Sequence, residues 1–370
     1  MKKYAKPIWV WIILGIFLPV CHAQECLTKF PDECNPERIG LKLAERFLAS
    51  GHMSPRLISY PEVCTWYGAL RFADVTNNKE LQDRLEARFQ PLYTTEQHLF
   101  PKKNHVDFNM FGSLPLELYN LTKNVKYYDL GMSYADAQWE LPEDATPEQR
   151  AYAARGLSWQ TRMWIDDMYM ITILQSKAYQ VTGDSKYMDR AAKEMVVYLD
   201  SIQQPNGLFY HAPDVPFYWA RGNGWFAVGM AEMLSYLPEK HPDRPWILKG
   251  YLKMMETLKN YQNPQGTWYQ LIDKPDTWVE TSGSAMFVYA MIQGVRNGWL
   301  DVNAYGSVAR KGWIGLIPYI NTDGDVTEVC KGTGKKNDEQ FYYDRPRIVG
   351  DFHGQAPVLW CAYSLTEVNR

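Results

Sequence analysis

The sequence predicts an all-α toroid, five or six helical hairpins closed into a ring, with short β-hairpins confined to the loops. Three observations carry that reading. First, a weak internal repeat runs along the chain. The stretches "ADVTNNKELQDRLEARFQPLY", "YNLTKNVKYYDLGMSYADAQ" and "YQVTGDSKYMDRAAKEMVVYL" each set a short turn between an apolar helix and an amphipathic one. The turns are Thr76-Asn77-Asn78, Thr122-Lys123-Asn124 and Thr182-Gly183-Asp184, and weaker copies follow near His241 and Asp301. Copies recur at about sixty residues, the length of a two-helix hairpin with its loops.

Second, Met163–Tyr179, "MWIDDMYMITILQSKAY", is apolar in almost every direction around a helix. Such a helix lies inside a large domain. One helix of each hairpin therefore forms an inner ring and its amphipathic partner an outer ring. Third, strand signals are few and local: "GLFYHAP" with "FYWARGN", and "GTWYQLI", read as loop hairpins. An open solenoid, with polar loops lining a groove instead of a pit, is the alternative arrangement. No linker or low-complexity tract interrupts the chain, so one domain is expected over residues 27–370.

The start, "MKKYAKPIWVWIILGIFLPVCHAQEC", has a cationic head, an apolar run from Ile8 to Val20 and a small residue at Ala23. This predicts a signal peptide over residues 1–23, cleaved after Ala23, and hence export to the periplasm. Acylation at Cys21 is the second reading, opposed by the bulk of Val20, and is the only route to a membrane. Removing Lys2, Lys3 and Lys6 with the leader takes the net charge from −3 to −6. Nucleic acid is excluded as a general partner, since that demands a basic surface. Export permits disulfides, and Cys26 with Cys34 or Cys64 is the expected pair.

Four constellations open the apolar helices. In Trp164–Met170, "WIDDMYM", Asp166 and Asp167 interrupt an apolar surface, where a carboxylate is costly unless paired, hydrogen-bonded or protonated. Adjacent helical residues point about 100° apart, so one caps or braces while the other faces the cavity. "HVDFNMFGSLPLELY" sets Asp107 and Asn109 ahead of a helix, which also suits a cap. "GLFYHAPDVPFYWARGNGW" crowds His211, Trp219, Arg221, Asn223 and Trp225 among three glycines, more than structure alone requires. "WVETSGSAMFVYAM" places Glu280, Thr281 and Ser282 at a further helix start, as a structural network. No G-x-S-x-G, H-E-x-x-H, phosphate-cradling or dinucleotide pattern occurs, and seven scattered His make metal catalysis a poor fit. Neither metal nor cofactor is expected.

The motifs "MWIDDMYM", "GLFYHA", "WARGNGW", "GTWYQLID", "VETSGSAMFVYA", "GVRNGWLD", "VCKGTG" and "GDFHGQAP", in this order, resemble glycoside hydrolase family 105. That family comprises the unsaturated rhamnogalacturonyl hydrolases and relatives acting on glycosaminoglycan fragments. The resemblance implies an (α/α)6 barrel and a substrate left by a polysaccharide lyase, an acidic oligosaccharide ending in a 4,5-unsaturated uronic acid. It implies Asp166 as general acid and then base, Asp107 as the second acidic residue, and Asp167 as a brace. It sets His211 and Arg221 toward the sugar, with Arg221 on the uronate carboxylate. Trp164, Trp219 and Trp225 would stack on rings, and Asn109 and Asn223 complete the sugar-facing set. The chain departs from the family at "TWYGAL", Thr65–Leu70, where a contact otherwise made by Asn is either lost or replaced by Trp66 or Tyr67. The segment from His211 to Arg221 is short for the family. The default substrate is the unsaturated rhamnogalacturonan disaccharide, with an unsaturated glucuronate cap as competitor. A classical glycosidase or lyase, or a noncatalytic sugar-binding toroid, are the other readings.

Overall fold

The hairpin turns are built by local chemistry. Lys123 and Gly183 end their helices in the left-handed conformation, at φ 59° and 68°. Asn78, Asn124 and Asp184 then start the next helices by accepting the backbone N–H of Leu81, Lys126 and Lys186. The computed structural model describes residues 26–368. The predicted leader and Cys21 lie outside the described residues.

Twelve helices make the body. The first six are α1 (Pro36–Ala49), α2 (Tyr60–Val75), α3 (Lys79–Phe89), α4 (Ser113–Thr122), α5 (Val125–Ala137) and α6 (Ile165–Thr182). The others are α7 (Ser185–Ile202), α8 (Ala220–Tyr236), α9 (Arg244–Tyr261), α10 (Thr281–Arg296), α11 (Val302–Leu316) and α12 (Phe352–Val368). Even-numbered helices pack side by side, α2 on α4, α4 on α6, and so on to α12, which returns to α2. The ring is therefore closed, and the open solenoid is set aside. Odd-numbered helices form the outer layer. The inner α8 buries every residue from Ala220 to Leu234, whereas the outer α7 buries one face, as the sequence pattern requires.

Each inner helix also contributes one polar side chain to a plug across the axis. Arg71 of α2 lies 3.4 Å from Glu117 of α4, 3.8 Å from Glu232 of α8 and 3.4 Å from the Tyr363 hydroxyl of α12. Lys177 of α6 bonds Glu117, and Tyr289 of α10 bonds Glu232. Two cations and two carboxylates balance, so the buried charges are mutually compensated.

The loops differ from expectation in pairing. Phe209 pairs back to Gln203, and Trp219 pairs with Leu271, so "FYWARGN" joins "GTWYQLI" instead of "GLFYHAP". Val329–Cys330 and Arg347–Ile348 form a two-stranded antiparallel ribbon that the sequence reading missed. The expected pairing of Cys26 with Cys34 or Cys64 is not formed: Cys34 and Cys64 are free and buried. Cys64 sits inside α2, where its carbonyl accepts the Trp360 indole, while Cys26 lies against Gly306 of α11. Packing holds them in separate places.

Close helix approach positions the site. A Cβ on Gly283 of α10 would fall 2.7–2.9 Å from backbone atoms of Ala220 and Arg221. Gly283→Ala is expected to cost about 1–3 kcal/mol by forcing α8 and α10 apart, measured as a lowered denaturant midpoint at unchanged slope.

Candidate active site

The even helices run in one direction, so their N-termini share one end of the ring, opposite the plug. Asp166 and Asp167 occupy the first turn of α6, and Arg162 just before it separates their fates. Its guanidinium donates to both oxygens of Asp167, at 2.6 and 3.0 Å, and Asp167 is fully buried. Asp167 is the brace that the sequence predicted, acting through Arg162 and not as an N-cap. Asp166 keeps a little surface toward the cavity, but its Oδ1 is sealed from solvent with no hydrogen-bond partner.

Burial raises the Asp166 carboxyl from 3.8 to about 8, against the pull of Arg221 and with added push from Asp107 and Asp167. Burial also raises Asp167, to about 6, with Arg162 opposing. Asp107 sits in the short helix Val106–Asn109, capped by His105, and burial raises it too, against Arg162. Its carboxylate lies 3.5 Å from His105 Nδ1 and 3.8 Å from Arg162. Arg162 also approaches His105 Nε2 at 2.9 Å. Asp167 and Asp107 thus pair with Arg162, while Asp166, which does not, is held higher than Asp167.

His211 is buried, with Nδ1 2.6 Å from the Tyr342 hydroxyl and Nε2 unpartnered. Burial, then Arg221 and Lys335, lower it to about 3, so the imidazole is neutral. Arg221 departs from expectation. Its two Nη atoms donate to the carbonyls of Cys330 and Lys331, leaving only Nε unpartnered. The fork tethers the Val329–Cys330 strand and is not open to a bidentate carboxylate. Trp219 and Trp225 are also corrected. Both are sealed, one against Arg221 at 4.7 Å and His211 at 4.8 Å, the other stacked on Tyr169 at 4.7 Å. Each keeps an unpartnered indole N–H instead of an open ring face. Of the three, only Trp164 retains accessible surface.

Asn223 is structural, since its side chain bonds the backbone of Phe209 and Trp219. Asn109 donates to the Tyr134 carbonyl and leaves Oδ1 unpartnered. Glu280 caps α10 through Ser282 and Gly283 and accepts Cys330 N–H, the structural network foreseen. At "TWYGAL" the substitution does not reach the cavity. Trp66 donates to the Leu85 carbonyl on α3, and Tyr67 meets Tyr169 at 3.1 Å.

Sequence reasoning missed Tyr60, His105, Arg162, Tyr342 and His353. Tyr60, at the start of α2, meets His353 Nε2 at 2.7 Å, stands edge-on to Trp225, and feels the charges of Asp166 and Arg221. Arg162 and His105 were signalled only by lying a few residues before the acids. No group of three or more His, Cys, Asp or Glu among the described residues is placed to hold a metal. No helix among them is long and apolar enough to cross a membrane.

The unpartnered N–H groups of Trp219, Trp225 and Arg221 and the Asp166 Oδ1 are all sealed from solvent, and similar proteins identify the family. The sequence model of glycosyl hydrolase family 88 matches residues 49–368. The chain belongs to that family. It is a glycoside hydrolase. The unsaturated 3S-rhamnoglycuronyl hydrolase of Alteromonas sp. (strain LOR) is 25% identical over 303 residues, 75% of this chain and 72% of that protein. The unsaturated rhamnogalacturonyl hydrolase YesR of Bacillus subtilis is 27% identical over 204 residues, 52% of this chain and 57% of that one. Solved structures share the fold. A possible family 105 member from Klebsiella pneumoniae superposes at TM-score 0.79 and 19% identity, covering 98% of this chain and 99% of its own. The unsaturated glucuronyl hydrolase from Streptococcus agalactiae gives 0.62 at 14%, covering 100% and 98%. The family 105 likeness and the α/α toroid read from sequence both stand.

Removing the guanidinium from this family 88 site leaves Asp167 buried and unpaired. Arg162→Met is expected to cost about 3 kcal/mol at pH 8 and less at pH 5, where Asp167 takes a proton. Denaturant unfolding at the two pH values reads the difference.

Proposed function

We propose that this enzyme removes the terminal 4,5-unsaturated uronic acid from lyase-generated oligosaccharides by hydrating its C4=C5 bond. The observation that carries the reading is the Asp166 carboxyl, sealed at Oδ1 and raised to about 8. A carboxylic acid that stays protonated at neutral pH can give its proton to an alkene carbon. The relatives' names, which join an unsaturated uronyl residue to a rhamno- prefix, support it. The default substrate is the unsaturated rhamnogalacturonan disaccharide.

In this reading Asp166 protonates C4, and positive charge develops at C5 and the ring oxygen. Water adds to C5, and Asp166, now a carboxylate, takes the water's proton. The hemiketal opens to a ketone and the remaining saccharide departs. Asp107 holds the proton on Asp166, because two nearby carboxyls resist joint ionisation. The positive charge of Arg221, which reaches Asp166, draws the uronate carboxylate toward the site. Neutral His211 offers Nε2 to a hydroxyl, and Trp164 stacks on a ring. The bond attacked is an alkene, so the carboxylate-separation rule for ordinary glycosidases does not apply.

The working form is protonated Asp166, so turnover should decline as pH rises through about 8. Asp166→Asn should lower turnover by about 10²–10⁴-fold, followed as loss of the unsaturated uronide's ultraviolet absorbance, with binding retained. Near wild-type turnover in that variant sinks the assignment. The folded protein also holds a proton on Asp166 that the unfolded chain releases above 3.8, so Asp166 costs stability increasingly as pH rises from about 4 to 8. The same variant should therefore be more stable than wild type at pH 8, and nearly equal to it at pH 4, by thermal unfolding.

A further inference from the structure

The outer helix α7 sends one carboxyl inward, behind the acids of α6. Glu194 is wholly buried, on the face of α7 that also buries Tyr187, Ala191, Met195 and Tyr198. A buried carboxyl is costly unless its lone pairs or its proton find partners. Its hydrogen bonds go to one turn, Ser158 to Thr161, which runs directly into Arg162. Glu194 Oε2 accepts the backbone N–H of Ser158 at 3.2 Å, and Oε1 stands 2.5 Å from the Thr161 hydroxyl. Beyond the turn, Arg162 grips Asp167, and Met163 takes the left-handed conformation, at φ 54°, where the chain enters α6.

The geometry of this turn says where a proton sits. The Thr161 hydroxyl lies 2.8 Å from the Ser158 carbonyl as well as against Glu194. A threonine hydroxyl has one proton to give, so it cannot donate to both. Both contacts are met only when Glu194 carries a proton and donates it to Thr161 Oγ1, which then donates to Ser158. An ionised Glu194 claims the hydroxyl proton and breaks that relay. The surroundings favour the same state. Burial raises Glu194 from 4.5 to about 7, against its bonds to Thr161 and Ser158 and the pull of Arg155, with a further push from Asp167 of α6. Tyr152 of the short helix Pro147–Ala154 and Tyr198 of α7 also feel its charge, and both stay neutral.

We propose that Glu194 is a positioning residue of this enzyme, protonated in the working form, whose carboxyl proton locks the Ser158–Thr161 turn and thereby holds Arg162 on Asp167. The role rests on the reaction proposed above. Glu194 acts from behind the wall, through the turn, and touches neither substrate nor the reacting atoms. Losing its proton slackens the turn and adds a second buried negative charge near Asp167. The site therefore answers to two protons, one on Asp166 for the chemistry and one on Glu194 for the alignment.

The test sets Glu194→Gln beside Glu194→Met and wild type. A glutamine amide reproduces the protonated form, since its N–H donates to Thr161 while its oxygen accepts the Ser158 N–H. Methionine keeps the bulk and loses both bonds. The substrate is an unsaturated uronyl disaccharide, followed by its ultraviolet absorbance. The ratio of kcat/KM for Glu194→Gln over wild type should be near one at pH 5.5 and rise to about tenfold at pH 8, where wild-type Glu194 is ionised and Asp166 titrates alike in both. Glu194→Met should lose roughly 10²-fold at either pH. A ratio that stays flat with pH, or a Glu194→Gln protein as impaired as Glu194→Met, overturns the role. If Glu194→Met does not fold, the Gln ratio decides alone. Unfolding reads the proton without the reaction. The thermal midpoint of Glu194→Gln should equal that of wild type near pH 4.5 and lie above it at pH 8, because Glu194 gives up its proton less readily in the folded protein than in the unfolded chain. Equal midpoints at both pH values overturn the protonated state. A wild type inert on the disaccharide, with midpoints that part as expected, overturns the reaction and not the Glu194 relay.

Discussion

One arginine shared unequally among three carboxyls sets the character of this molecule. Arg162 closes on Asp167 with two short hydrogen bonds and stands farther from Asp107. Asp166, one residue away but about 100° round the helix, receives neither bond. In a low-dielectric wall that difference decides which carboxyl keeps its proton. The fold maintains the inequality. Asp167 faces the packed interior on the Arg162 side, while Asp166 faces the open end, and the closed inner ring prevents either from rotating into the other's place.

Many polar atoms at this end of the barrel lack partners. Six of the nine residues expected at the site, Asn109, Asp166, His211, Trp219, Arg221 and Trp225, each bury an unbonded nitrogen or oxygen. Unbonded polar groups are rare in native interiors. These six lie near the helix N-termini, while the charged groups crossing the opposite end, Arg71, Glu117, Lys177 and Glu232, are bonded to one another.

The architecture was legible where chemistry is local. A Thr-Asn-Asn or Thr-Gly-Asp turn is readable because cap and left-handed residue lie within a few positions of each other, and the all-round apolar helices declared the inner ring. Asp166 was legible as a buried carboxyl because it sits in its own apolar context. What could not be read were partnerships across the fold. Arg221 shows an arginine in a sugar-enzyme motif, yet its occupants, the Cys330 and Lys331 carbonyls, come from a loop over a hundred residues away. Trp219 and Trp225 stood out in their motif, but their sealing could not be read, since ring exposure depends on Tyr169 and His211 packing from other segments. Tyr60 gave no local signal, because its significance comes from His353 at the far end of the chain.

The polar plug has a consequence for traffic. With one side chain from each inner helix crossing the axis, the barrel is a cul-de-sac with a single doorway. Under the proposed function only the tip of a saccharide would enter, which suits the trimming of ends over the cutting of interior linkages. Both fragments of the proposed reaction would then retreat along the path of arrival, the outer one first and the uronate remnant behind it. Departure is thereby ordered by shape, before any difference in affinity is considered.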